Sequence, residues 1–540
     1  MDQTHRGNGH LEELSHILGK ENLVIDESAL KQAATNTLGL ERTIAGILYP
    51  GSTEEVRQIV LAANKYGLKL HPISAGMNIG YGDWLPIEDG HYVVNLRRLK
   101  GIRDFSDTFG QIRFEAGFTQ GEAMKYLEEK GAKWYIDCTG VGPDGSFVGN
   151  TLEGGFGISE YGNRRANISN LEVVLGNGTV VNTGVFPGCG PDTSGSFVQS
   201  NFGIVTAMQM NLLRKPEYFE SFMLKVNSDE HLFDVLAALR EFRYQNVLPG
   251  IGRTANAVRS LLTFKPCPEE YKDKVVKNED ARKVLRDLVG LWTIFGAVYG
   301  SKKEVQLKRR VVQEELGQLG DLIFFTDESI PRMQKQLDAL VRINPYTAGY
   351  AARAAGLFKP TLQGKTQQDL EAMREFLTIY PLLHEMSKGV PPPKTPSNIR
   401  WRAEKLEDAG LMWYAPKVKA EKDNVRTMLK EAGKLYAWYG FEMPVTLNII
   451  TPDTVTGIMS IHFDKSKKGQ VAKAHNLYEA LNVELVKSGI RPYRLGIQGQ
   501  SNHAIVDYEP GKTAALSALK KAWDPNNVIQ PGRYGIFLQQ

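Results

Sequence analysis

The glycine-containing segment Ser74-Ala-Gly-Met-Asn-Ile-Gly80 has the residue types of a loop that could bind a phosphate group. Small side chains allow successive backbone N–H groups to converge, and such a concavity suits the oxygens of a phosphate. The alternative interpretation is a tight turn without a ligand, which the spacing alone favours. Because the loop also lies at the end of an apolar strand, the phosphate-binding interpretation and the turn interpretation are about equally favoured.

Two other phosphate-type motifs are excluded by their own residues. Gly140-Val-Gly-Pro-Asp-Gly145 has the GxGxxG spacing, but Pro143 lacks an N–H donor and no long helix follows. Gln363-Gly-Lys-Thr366 is like the end of a P-loop, yet Lys359 stands where the first glycine is required. Neither motif therefore predicts a nucleotide site.

The loop is predicted to follow the second strand of a β-α-β unit. An apolar strand over 44–49 leads to a helix start, with Ser52 or Thr53 as the cap and acidic residues in the first turn. Apolar residues at helical spacing continue to Gly67, and 68–73 is the next strand. Such units bind ligands at the carboxyl ends of their strands, which is where the loop lies.

The remaining sequence divides near residues 213–220, where its composition changes. Before this point glycines and turn signals predict short strands. The same part of the chain is predicted to contain a helix over 119–130 and a hairpin with strands 171–175 and 179–183. A helix start is predicted at 196, followed by a strand after Gly203. After this point helices are predicted at 230–243, 305–318 and 422–437, and strands at 220–226 and 455–463.

Composition indicates a multidomain globular enzyme. The chain has 540 residues and a formal net charge of +4, which is too small for its length to indicate nucleic-acid binding. Its three cysteines cannot form a disulfide framework. The N-terminus is polar without an apolar signal segment, and no window approaches the length of a membrane helix. We therefore expect a cytoplasmic protein that binds neither nucleic acid nor membrane.

A series of short segments forms an ordered pattern between residues 43 and 536. The segments are 72–82, 145–153, 161–162, 171–175, 199–206, 295–300, 412–416, 492–494 and 524–533. Together they resemble the vanillyl-alcohol oxidase / p-cresol methylhydroxylase flavoproteins, and most closely the branch that oxidises 4-alkylphenols, vanillyl alcohol and eugenol. The similarity covers nearly the whole chain.

The resemblance implies an α+β fold in which a two-subdomain FAD-binding domain of the p-cresol methylhydroxylase type carries an α/β cap domain. We expect the FAD-binding domain at 1–215, the cap or substrate domain at 216–490, and a C-terminal return to the FAD domain at 491–540. Residues 74–80 are expected to hold the FAD pyrophosphate. The implied cofactor-binding residues are Ser74, Ala75, Gly76, Met77, Asn78, Ile79, Gly80, Gly149, Asn150, Glu153, Gly203, Ile204, Val205 and Arg533.

The phenol pocket of the family uses two tyrosines and an arginine, whose matches here are Tyr81, Tyr493 and Arg494. Such groups stabilise a phenolate oxygen as a charge-assisted acceptor. The phenolate then favours hydride loss from the para substituent to the flavin, which gives a quinone methide. The alternatives are a packing role for Tyr81 and a surface charge for Arg494.

Three positions bear on how the flavin is attached. Relatives with a histidyl flavin bond carry the histidine at the position of Leu411 or, in other branches, at the position of Met77. Since neither residue can form the bond, we expect noncovalent FAD. Cys138 is similar to the cysteine of bicovalent relatives, although a buried, inert cysteine is the alternative that we favour.

The sequence does not decide the identity of the catalytic acid or of the substrate. Relatives carry an aspartate at the position of Val141, and Asp144 either takes its place as a base or is a turn residue. An aromatic residue beside the substrate in relatives falls on Ile158. Oxidation of a hydroxy acid or another non-phenolic alcohol is therefore the alternative function, and a flavin-binding protein without turnover is a further one.

The partners expected by resemblance are a small aromatic substrate and either oxygen or an electron-acceptor protein such as a cytochrome. The sequence does not distinguish an oxidase from a dehydrogenase. A homodimer is expected by analogy, and no metal site is expected.

Overall fold

The computed structural model describes residues 9–159, 162, 164–184, 189–343, 366–392, 397–500 and 509–538. Within these residues the helices are α1 (Gly9–Leu18), α2 (Glu27–Ala33), α3 (Thr53–Tyr66), α4 (Gln120–Glu129), α5 (Phe147–Leu152), α6 (Asp229–Tyr244), α7 (Ala257–Phe264), α8 (Asn278–Val284), α9 (Lys302–Leu316), α10 (Ser329–Ile343), α11 (Thr366–Ser387), α12 (Lys422–Trp438), α13 (Gln470–Lys487), α14 (Ile497–Gln500) and α15 (Pro510–Trp523). The strands are β1 (Leu23–Val24), β2 (Ile44–Leu48), β3 (Leu70–Ile73), β4 (His91–Asn95), β5 (Ile102–Ser106), β6 (Gln111–Glu115), β7 (Trp134–Tyr135), β8 (Ile168–Leu175), β9 (Val180–Asn182), β10 (Gly203–Asn211), β11 (Leu213–Arg214), β12 (Tyr218–Val226), β13 (Gly252–Asn256), β14 (Trp292–Gly300), β15 (Asp321–Phe325), β16 (Ala409–Tyr414), β17 (Pro416–Lys419), β18 (Val445–Thr451), β19 (Thr454–Asp464) and β20 (Arg491–Pro492).

The predicted β-α-β unit is confirmed in a four-stranded sheet of order β1-β2-β4-β3. Strands β2 and β3 both run parallel to β4, and α3 connects them. The Ser52 side chain caps α3 by accepting from the Glu55 N–H, and Gly67 ends the helix at a φ of 71°. The loop 74–80 therefore leaves the carboxyl end of β3.

The strands that follow the four-stranded sheet in sequence form a five-stranded antiparallel sheet of order β5-β6-β10-β8-β9. The pairing of β8 with β9 confirms the predicted hairpin. The helix start predicted at 196 is wrong, because this segment holds only the short 3-10 turn Ser194–Phe197 before β10 begins at Gly203. Strand β10 pairs with both β6 and β8, and this long ladder takes up the residues that a helix would need.

The second half of the chain builds a nine-stranded antiparallel sheet. Its order is β15-β12-β14-β13-β18-β19-β17-β20, and β16 also pairs with β19. Helices α6, α9, α12 and α13 contribute apolar residues to the core on this sheet. This mixture of helix-covered sheets confirms the α+β class. The domain boundaries stay predictions, although the strands on the two sides of residue 215 belong to different sheets.

The C-terminal segment returns to the four-stranded sheet. Leu70 on β3 donates its N–H to the Val528 carbonyl, and the Gln530 N–H donates to the Leu70 carbonyl. A fully buried ion pair between Lys520 and Asp524, 2.6 Å apart, fixes the turn that precedes these contacts. The segment thus adds a layer beside the strand that carries the loop.

Among the helices that the structure describes, none combines the length and the apolar character needed to cross a membrane.

Candidate active site

A cavity of about 390 Å³ lies where the loop after β3, α5, the nine-stranded sheet and the C-terminal segment meet. Both halves of the chain contribute to its lining. The lining residues are His71, Pro72, Ile73, Ser74, Ala75, Gly76, Met77, Asn78, Ile79, Tyr81, Asp83, Thr139, Gly140, Val141, Gly145, Ser146, Gly149, Asn150, Glu153, Phe156, Arg253, Arg259, Ile399, Leu411, Trp413, Ile458, Tyr493, Arg494 and Arg533.

Two tryptophans hold the loop 74–80 in shape. The indole N–H of Trp84 donates to the Gly76 carbonyl at 3.2 Å, and that of Trp413 donates to the Ile79 carbonyl at 3.1 Å. Gly76 and Gly80 have φ values of 76° and 78°, and a Cβ at either would meet an indole ring within 2.5 Å. Glycine is required at both positions because the backbone is left-handed and the rings press against it.

The loop offers unsatisfied donors to the cavity. Within the described residues, the backbone N–H groups of residues 75–79 donate to no acceptor, whereas the Gly80 N–H donates to the Thr37 hydroxyl at 2.9 Å. Consecutive free amides in a loop at a strand end form an anion-binding concavity. The pyrophosphate of FAD fits this donor set.

Residues of α5 and the C-terminus face the loop across the cavity. The backbone at Gly149 comes so close to Ser74 that a Cβ there would lie 3.2 Å from the Ser74 side chain. The Glu153 carboxylate forms an ion pair with Arg533 and accepts from the Tyr534 hydroxyl at 2.6 Å. Burial raises the pKa of Glu153, but the cations of Arg533 and Arg494 outweigh it and hold the pKa below its usual value. Glu153 is therefore a buried anion.

Gly203, Ile204 and Val205 lie away from the cavity lining. They begin β10, and Ile204 and Val205 are buried in the core beneath the two N-terminal sheets. A Cβ at Gly203 would come within 2.5 Å of the Val173 side chain on β8, so close strand packing accounts for this glycine. The cofactor role of these three residues stays a prediction.

The three residues predicted for the phenol pocket converge at one end of the cavity. The Arg494 guanidinium lies 4.1 Å from the centre of the Tyr81 ring, and the Tyr81 and Tyr493 side chains are close enough for each to shift the pKa of the other. The Ile497 N–H donates to the Tyr81 carbonyl and the Tyr493 N–H donates to the Ala415 carbonyl, each at 3.0 Å. The Arg494 side chain is only 10% exposed, so the alternative of a surface charge is wrong.

Burial sets the protonation of this group. It raises the pKa of Tyr81 well above its usual value, and the neighbouring Tyr493 raises it further. Burial also raises the pKa of Tyr493, although the Arg494 cation and the neighbouring Tyr81 act in the opposite direction. Burial lowers the pKa of Arg494, but Glu153 and the two tyrosines hold it above its usual value. At neutral pH the site therefore presents two protonated hydroxyls and a cation.

The predicted base is placed outside the cavity. Asp144 is exposed and does not belong to the lining, whereas Val141, which occupies the expected acid position, lines the cavity. Ile158 is also absent from the lining. Phe156, two residues earlier, lines it instead, with its ring 5.6 Å from that of Tyr493. The aromatic wall missed by the sequence analysis is thus Phe156, and Tyr161 lies outside the described residues.

The positions of possible flavin linkage differ in access to the cavity. Met77 and Leu411 line it. Cys138 is buried outside the lining and its thiol donates to the Met386 carbonyl at 3.4 Å. Burial, aided by Asp137, raises the pKa of this thiol to about 12, which suppresses the reactive thiolate.

Two arginines of the cavity were not anticipated from the sequence. Arg253 lies on β13 near the middle of the nine-stranded sheet, and Arg259 lies in the first turn of α7 with its guanidinium 5.2 Å from the centre of the Trp413 ring. The only local signal for Arg253 would have been an arginine inside a predicted short strand. The sequence 252–256 is polar and lacks the alternation of apolar residues that predicts a strand.

Comparison with known proteins agrees with this site. Residues 44–184 match a family described as an FAD binding domain. The chain is 29% identical to 1'-carboxy-chondrochloren decarboxylase of Chondromyces crocatus, over 96% of this chain and 95% of that protein. It is 24% identical to the 4-cresol dehydrogenase [hydroxylating] flavoprotein subunit of Pseudomonas putida, over 97% of this chain and 94% of that protein.

The fold is similar to that of a solved structure along its whole length. The crystal structure of p-cresol methylhydroxylase with substrate bound superimposes with a TM-score of 0.84 and 22% identity, covering 100% of this chain and 98% of that one. The chain is an FAD-dependent oxidoreductase that is similar over nearly its whole length to flavoproteins of the vanillyl-alcohol oxidase / p-cresol methylhydroxylase type.

Proposed function

We propose that the protein removes hydride from the benzylic or allylic carbon of a para-substituted phenol. The observation that carries this proposal is the convergence of Tyr81, Tyr493 and Arg494 at one end of a cavity whose other part fits FAD. Two neutral hydroxyls and a buried cation form a site for an oxygen anion. A phenolate is the anion whose aromatic body matches the Phe156 wall.

The chain's own residues hold the phenol in its ionised form. Hydrogen bonds from Tyr81 and Tyr493 and the charge of Arg494 lower the free energy of the phenolate relative to the phenol. The pair of Arg494 and Arg533 exceeds the single charge of Glu153, so one positive charge is left to balance the phenolate. The phenolate in turn stabilises the loss of hydride from the para carbon. FAD, when bound, accepts that hydride.

We infer that the flavin is held without a covalent bond. Leu411 and Met77 lack the imidazole nitrogen of a histidyl flavin bond, and Cys138 is buried outside the cavity with a raised thiol pKa. The loop amides, Glu153 and Arg533 supply binding groups instead. Electrons would pass on to oxygen or to an acceptor protein, and a homodimer remains an expectation by analogy.

The fate of the quinone methide depends on the groups around it. Where relatives place an acid, this cavity has Val141, and Asp144 faces solvent. Without a carboxylate at position 141 to activate water, a quinone methide can instead lose a proton or carbon dioxide from the adjacent carbon. The name of the 29% identical relative, a decarboxylase, agrees with the second outcome.

A hydroxy acid is the second candidate substrate. It is favoured by Arg253 and Arg259, which place positive charge in the same cavity without an acidic partner among the described residues. On this candidate the tyrosines would contribute packing, and phenols would not reduce the flavin.

Anaerobic flavin reduction by 4-ethylphenol separates the two candidates. We expect Arg494→Ala to slow reduction by about 100-fold or more and Tyr493→Phe by roughly 10-fold, since each removes a hydrogen bond to a developing or resident charge. Tyr244→Phe is the matched control, because Tyr244 is 62% exposed on α6. Unchanged rates in both site variants, or reduction by D-lactate but by no phenol, would overturn the proposal.

A further inference from the structure

Arg253 and Arg259 form a second cationic group in the cavity that phenolate binding does not use. Arg253 sits opposite Phe295 on β14 and Asn448 on β18, so it projects from a central strand of the sheet. Arg259 is fixed at the start of α7, where the Asn256 side chain accepts its backbone N–H at 2.9 Å. Both side chains line the cavity.

Neither guanidinium has an acidic partner in the part of the chain that the structure describes. No carboxylate there lies within ion-pair distance of either residue, and the buried Nη1 of Arg259 has no acceptor. Burial lowers the pKa of Arg259 to about 10, with a contribution from the Arg253 cation, and burial lowers the pKa of Arg253 as well. At neutral pH both side chains remain protonated.

Two other arginines of low exposure among the described residues are paired with acids. Arg164 forms an ion pair with Asp137 at 3.1 Å, and Arg402 forms one with Glu442. Placing two cations without acidic partners in the wall of one cavity costs folding free energy. Such a cost at a cavity wall is typical of a site that a ligand anion completes.

We propose that Arg253 and Arg259 bind a carboxylate on the para side chain of the phenolic substrate. This inference rests on the proposed function, because it takes the phenolate oxygen to be held by Tyr81, Tyr493 and Arg494. The substrate class is then a 4-hydroxyphenyl compound whose side chain ends in or carries a carboxylate. Guanidinium groups match a planar carboxylate, and the free amides of the loop already account for the cofactor phosphates.

The apolar part of the lining agrees with this substrate. Val141, Ile458 and Trp413 line the same cavity. They offer contacts to the ring and the methylene groups of a substrate whose two ends are charged. A dianionic substrate also balances the positive charge of both arginine groups.

Equilibrium binding of acids and their methyl esters tests the proposal. The probes are 4-hydroxybenzoate and (4-hydroxyphenoxy)acetate, which have no benzylic C–H at the para position and so cannot reduce the flavin. Binding to the holoenzyme is followed by perturbation of the visible flavin spectrum. We expect at least one acid to bind about 10- to 100-fold more tightly than its ester, as a hydrogen-bonded ion pair provides.

The variants Arg253→Met and Arg259→Met are expected to reduce this preference towards 1, while Arg259→Lys keeps part of it. Arg426→Met is the matched control, because Arg426 pairs with Asp423 and Glu230 on the surface. Equal binding of acid and ester to the wild type, or a preference that survives both Met variants, would overturn the proposal. Loss of FAD from the Met variants would also overturn it, since the arginines would then hold the cofactor.

The wild-type measurement does not depend on any variant's folding, and it does not depend on turnover. A wild type that prefers the acid but is reduced by no phenol would support the carboxylate site and contradict the proposed function. A wild type that is reduced by 4-ethylphenol but binds acid and ester equally would support the proposed function and contradict the carboxylate site.

Discussion

The two cationic regions of the cavity differ in how the protein balances their charge. At the phenol end, Arg494 and Arg533 share the buried carboxylate of Glu153, and Tyr534 completes its hydrogen bonds. In the second region, Arg253 and Arg259 have no acidic partner among the described residues. A paired charge holds its site in shape before any ligand arrives, whereas an unpaired one gains its partner only on binding. The first region is therefore preorganised. The second carries an unfavourable electrostatic free energy that an anionic ligand would reduce.

Breaking the balanced region should have the largest effect. Glu153→Gln leaves Arg494 and Arg533 buried without their anion, and we expect a loss of about 3 kcal/mol in the free energy of unfolding, as for a broken buried ion pair. Chemical denaturation of the holoenzyme measures it. Glu230→Gln is the control, because this glutamate pairs with Lys422 and Arg426 at the surface. A loss no greater than in the control would show that Glu153 does not hold this region together.

The pH dependence of stability sharpens the same point. The pKa of Glu153 is lower in the folded protein than its usual value. Its contribution to stability is therefore fully present above the unfolded pKa of about 4.3 and is lost as the pH falls through the folded value. We expect the difference in unfolding free energy between wild type and Glu153→Gln to shrink below about pH 4. A difference that is constant from pH 7 to pH 3 would contradict this assignment.

Relieving the unbalanced region should have a smaller effect of opposite sign. Arg259→Met replaces a half-buried cation, which has no acidic partner among the described residues, by an apolar side chain of similar length, and we expect it to raise the free energy of unfolding by about 1 kcal/mol. The ligand-free holoenzyme is the state to measure. Destabilisation by this variant would mean that the cation stabilises the fold, for example through its contact with the Trp413 ring.

The sequence predicted the parts of the site that have local signals. The loop 74–80 follows from an apolar strand and a capped helix, both of which the structure confirms. Tyr81 is far in the chain from the adjacent residues Tyr493 and Arg494, so only an ordered resemblance to a family could bring the three together. Arg253 could not be found in this way, because its burial and its lack of an acid depend on neighbouring strands. The Phe156 wall was likewise displaced by two residues from the position that alignment suggested.

The smallest expected effect concerns Cys138, which lies outside both regions. Its thiol donates to the Met386 carbonyl, and burial keeps it protonated, so it should play no part in holding the flavin. After acid precipitation we expect FAD in the supernatant for the wild type and for Cys138→Ala alike, as read from the visible absorbance of the two fractions. Flavin that stays in the wild-type pellet but leaves that of Cys138→Ala would identify a cysteinyl bond. Because such a bond needs the thiolate in contact with the isoalloxazine ring, that result would require the Cys138 side chain to turn into the cavity that residues 139–141 already line.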